Sequence, residues 1–65
     1  MYMNKFFKTK EEAVAFQKEQ GFGALYSNAK GSHTKGRYQT EALMMGKSEE
    51  FQKEHPFCVA WNHHE

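Results

Sequence analysis

Hydrophobic and polar positions alternate along the chain in six short blocks. Tyr2 to Lys8 carries apolar side chains on both alternating sets, Tyr2 and Phe6 on one and Met3 and Phe7 on the other. A run of this kind suits a strand covered on both faces. Thr9-Lys10-Glu11-Glu12 then forms a capping box, with the two glutamates at the positive end of a helix dipole. It predicts a helix over about Lys10 to Gln20. Ala13, Phe16 and Gln20 point inward with Val14 beside them, and Gly21 is a left-handed stop.

Phe22 to Tyr26 reads as a second strand in which Gly23 marks a weak point or a close backbone approach. The polar stretch Ser27 to Arg37 follows. A second helix is capped by Thr34 or Ser32, carries Tyr38, Ala42 and Met45 at a 3–4 spacing, and stops at Gly46. A short turn of helix starts at Ser48 and must end by His55, because the residue before Pro56 is pushed out of the helical region. Phe57 to Asn62 is apolar on both alternations until Asn62 and is the expected central strand. The order β-α-β-α-(short α)-β predicts an α+β fold with a three-stranded sheet and helices mainly on one face. No repeat or linker divides the chain, so residues 1–65 read as one domain.

Composition bounds what such a fold can do. Sixty-five residues lie near the lower limit for a self-sufficient core, although ten are aromatic. Folding must offset roughly 1.5 kcal/mol of conformational entropy per residue, so a marginal monomer or a homodimer is expected. A large enclosed active site would remove core that the chain needs, so any site should be superficial. The single cysteine, Cys58, points away from a disulfide-stapled secreted domain and towards a reducing, cytoplasmic setting. No apolar run approaches the ~20 residues of a membrane span. Met1 to Lys5 lacks the apolar core of a signal peptide.

The net charge of +1 predicts no partner, but its distribution is informative. No acidic residue lies between Glu19 and Glu41, and that gap holds Lys30, His33, Lys35 and Arg37 between Tyr26 and Tyr38. Gly31 and Gly36 have the glycine spacing of a phosphate-cradling loop, between a strand and a helix. The match fails where Arg37 replaces the lysine and Tyr38 replaces the Ser/Thr that would hold magnesium. A weaker expectation survives: free amides at a helix N-terminus near Thr34, ringed by cations, would attract phosphate or carboxylate. Tyr26 and Tyr38 would offer stacking faces for a nucleic acid, the simplest anionic partner. The plain alternative is a solvated loop whose cations serve solubility, with both tyrosines at the core edge.

His55, Cys58, His63 and His64 are zinc-ligand types, but along a strand Cys58 and His63 would lie about 16 Å apart. Ligands of one zinc sit within ~2.0–2.3 Å of the metal. No metal or other cofactor is therefore expected. Catalysis is not expected either. Glu11 and Glu12 serve the helix cap, Glu49 and Glu50 do not face each other, and Cys58 would be a buried, inert thiol. His33 is the one plausible general base, with only Glu41 or Glu65 as distant partners. Finally, Leu43, Met44, Met45 and Tyr38 cannot share one helical face. Leu43, Met44, Met45 and Phe51 thus form the alternative site, an adaptable apolar surface for a protein partner or a second copy.

Overall fold

Cys58 and Val59 are neighbours in the chain, both fully buried, and they belong to two different cores. That follows from their place on a central strand whose successive side chains point to opposite faces. A computed structural model describes residues 2–62. Its elements run β1 (Tyr2–Phe7), α1 (Lys10–Gln20), β2 (Ala24–Ser27), α2 (Lys35–Met44), α3 (Glu49–Glu54) and β3 (Phe57–Asn62). The sheet order is β1-β3-β2, with β3 antiparallel to both neighbours. The fold is α+β in the expected order, and β3 is central.

The register aligns Phe6, Cys58 and Tyr26 in one row and Lys5, Val59 and Leu25 in the next. Phe7 and Val59 pack with Ala13 of α1, joined by Phe16, Leu25, Phe57 and Trp61. Cys58 packs with Tyr38 and Ala42 of α2, joined by Phe6 and Tyr26. Phe51 of α3 meets Phe6 edge-on at 5.6 Å, on the same side as α2. Two helices therefore share one face, as expected of helices mainly on one face, and α1 covers the other. The two-sided apolar pattern of β3 requires both covers. Burying Val59 alone is worth about 1.5–3 kcal/mol.

Local signals place the helix ends. The Thr9 hydroxyl accepts from the Glu12 amide at 3.2 Å, and Gly21 takes the left-handed cap with φ 86°. The Ser48 hydroxyl accepts from the Phe51 amide at 3.1 Å. After α2 the Gly46 amide donates to Leu43 and the Lys47 amide to Ala42, both pairings of a Schellman stop. The second strand departs from expectation. It begins at Ala24 rather than Phe22, because the Gln20 and Gln17 amides take the carbonyls of Phe22 and Gly23 at 3.0 and 2.7 Å. Gly23 itself sits at φ 123°, and a Cβ there would come within 3.1 Å of the Val59 side chain. The close approach is real, and it lies just before the strand.

Candidate functional site

The chain from Ser27 to Thr34 is an ordered turn held by its own hydroxyls. The Asn28 amide donates to the Pro56 carbonyl at 2.8 Å, anchoring the turn beside β3. The Ser27 amide donates to the Thr34 hydroxyl at 2.8 Å, and the Thr34 amide donates to the Ser32 hydroxyl at 3.2 Å. The two hydroxyls lie 3.1 Å apart. Thr34 occupies the cap position of α2 but gives its oxygen to Ser27 instead of to its own helix. Of the amides at the start of α2, those of Thr34 and Lys35 are taken by the Ser32 hydroxyl and carbonyl.

The expected anion-binding residues separate into three groups. Lys30, His33 and Arg37 are exposed, and Lys35 is half-buried. Arg37 donates to the Tyr26 hydroxyl at 3.2 Å and lies 5.3 Å from that ring's centre. That contact raises the guanidinium further above its ordinary value and covers part of the half-buried Tyr26. Tyr38 requires correction. It is fully buried, its hydroxyl donates to the carbonyls of His55 and Gln52, and Phe6 meets its ring edge-on at 5.5 Å. Burial pushes its phenol up to about 12. Tyr38 bolts α2 to α3 and offers no face to a ligand.

Leu43, Met44 and Met45 are 81%, 63% and 52% exposed. Met45, expected at a 3–4 spacing with Tyr38 and Ala42, is the cap residue after the last turn of α2 and is exposed. Phe51 does not join these three. It is half-buried, stacked on His55 at 4.1 Å, with the Lys47 ammonium 4.6 Å from its centre. Met44 and Met45 instead meet Tyr2, Met3 and Asn4 of β1 around a groove of about 440 Å³. Leu43 does not line it.

Tyr2 and Met3, 43% and 40% exposed, are therefore site residues that sequence reasoning missed. The two-sided run at β1 pointed to burial. The contrary signal was that an outer strand loses cover along one side, which requires strand order to be known. Beneath the groove Glu41 is buried, and Asn4 donates to its carboxylate at 2.9 Å. Partial desolvation of its hydroxyl, together with that carboxylate, pushes the Tyr2 phenol up to about 12. Glu41 is thus held in the core side of α2, while His33 stays exposed.

Cys58 is fully buried, and burial with the Glu41 charge pushes its thiol up to about 12. Half-buried His55 keeps its Nδ1 3.2 Å from the Phe51 carbonyl oxygen. His63, His64 and Glu65, the remaining candidate metal-ligating and acidic positions, lie outside the described residues. Among the described residues no helix is long and apolar enough to cross a membrane. No family model, curated protein or solved structure matches the chain.

Proposed function

We propose that the protein is a small non-enzymatic binding module whose working surface is the apolar groove between β1 and the end of α2. The observation that carries this reading is the meeting of four exposed large side chains, Tyr2, Met3, Met44 and Met45, around one groove. Contiguous apolar surface of this kind marks interaction sites, and methionine adapts its shape to a partner. A lone, fully buried thiol suits work in a reducing, cytoplasmic compartment.

Hydroxyl-radical footprinting tests the reading through the methionines themselves. Met3, Met44 and Met45 should be oxidised in the dilute purified protein and protected in a concentrated extract of the cells that make it. Equal oxidation in both samples contradicts the reading.

A second reading keeps the basic loop as the contact for an anionic partner, most simply a nucleic acid. It is favoured by the hydrogen-bonded turn, which carries exposed Lys30 and His33, and by exposed Arg37 in the first turn of α2. Four phosphate contacts would give a salt slope of only about −3 on a log–log plot. Oligonucleotide binding at low salt that is lost with Lys30→Ala, Lys35→Ala and Arg37→Ala together supports it. The absence of such binding removes it.

A further inference from the structure

We infer that the partner on this groove is a second copy of the chain, joined β1 to β1 in one six-stranded antiparallel sheet. This deepens the groove reading and rests on it. Three consecutive strand residues, Tyr2, Met3 and Asn4, line the groove. Consecutive side chains point to opposite faces, so a groove touching all three opens along the strand's edge. β1 is an outer strand, paired only with β3. An apolar edge of six residues is a template for another strand unless something guards it.

The one charge within β1 guards only its own position on this edge. The Lys5 ammonium lies 5.3 Å from the centre of the Phe16 ring and 5.7 Å from that of Phe7. Both rings belong to the core beneath α1, and the attraction of a cation to an aromatic face draws the head group over that core.

Centring on Asn4 or on Lys5 pairs five of the six β1 residues with the copy, and one of these two registers is self-complementary. A two-fold dimer that keeps each face continuous must centre on one residue paired with itself. Centring on Lys5 would set two ammonium groups opposite each other, which is destabilising. Centring on Asn4 pairs the uncharged amide with its copy, Tyr2 with Phe6, and Met3 with Lys5. No like charges then meet within the strand pair.

The area is of the right order. The four groove side chains expose on the order of 400 Å², about half of the ~800 Å² that each partner contributes to a standard interface. The main-chain edge and flanking residues of β1 add to it. The monomer also has little core to spare, since among the described residues each of the two clusters contains three buried residues.

Sedimentation equilibrium from about 1 μM to about 1 mM tests the inference, a range that spans weak to moderate affinities. The wild-type mass should rise from monomer to dimer. Met3→Lys, which opposes Lys5 of the second copy, should weaken association at least tenfold relative to Met3→Glu, which attracts it. Circular dichroism checks that both variants fold. Should Met3→Lys not fold, Met44→Glu on the exposed opposite wall should leave a folded monomer, and a persistent dimer there overturns the inference. A wild-type monomer throughout, or equal weakening by the two Met3 charges, also overturns it. A monomeric purified chain whose methionines are still protected in extract removes the second copy and leaves the groove reading standing.

Discussion

Gly23 and Gly36 are each a glycine at the start of an expected or observed element, but their environments give opposite predictions. At Gly23 the backbone has φ 123°, and a Cβ would press on Val59 at 3.1 Å. At Gly36, in the first turn of α2, a Cβ meets nothing within 4 Å. Gly23→Ala should therefore lower urea stability by more than about 1 kcal/mol, and Gly36→Ala should raise it by about 0.4–1 kcal/mol. Cys58 supplies a pH test. Its thiol ionises near 9.0 when unfolded and at about 12 when folded, so above pH 9 the unfolded chain releases the proton first. The thiol's contribution is intact below pH 9 and is lost as pH rises towards 12, by at most about 1.4 kcal/mol per pH unit. Between pH 9 and 10 wild-type urea stability should fall, and ionisation of Tyr2 and Tyr38 in the unfolded chain, whose folded phenols are pushed up to about 12, adds to the slope towards pH 10. The Cys58→Ala profile should be flatter in that window. Side-chain role was the least legible feature at this scale. Tyr38 carries the same aromatic signal whether it stacks on a ligand or joins α2 to α3, and only its distance from His55 and Gln52 decides.

Element ends were legible where the signal is local. Thr9, Gly21, Ser48, Gly46 and Pro56 act within a few residues of themselves, and the ends of α1 and α3 and the stop after α2 follow from them. β2 was misplaced by two residues because its start depends on Gln17 and Gln20 reaching across from α1. Thr34 shows the same effect in reverse. A Ser/Thr before a helix predicts a cap, yet its hydroxyl is taken by the Ser27 amide seven residues earlier. Thr34→Ala should therefore act on the turn more than on the helix. Stability should fall by about 1–3 kcal/mol, the range for leaving a buried amide without a partner. Hydrogen exchange should speed most at Ser27, while α2 retains its helical signal. Faster exchange confined to α2 would contradict this account of the turn.

At the scale of the whole molecule, the apolar alternation of β3 indicated a central strand, and the order of elements implied the α+β class. Strand order was not written in any local pattern, and the candidate site depends on it. Only with β1 at the edge do Tyr2 and Met3 become surface and join Met44 and Met45. The acid-free segment drew attention because charge is visible in a sequence, whereas an uncovered edge is not. The two surfaces can be separated by one measurement, photo-crosslinking in the cells that make the protein. A p-benzoylphenylalanine at position 44 or at position 30 places a reactive group in the groove or on the basic loop. A defined protein adduct from position 44 and none from position 30 is the predicted result. An adduct from position 30 alone would contradict the claim that the β1–α2 groove is the working surface.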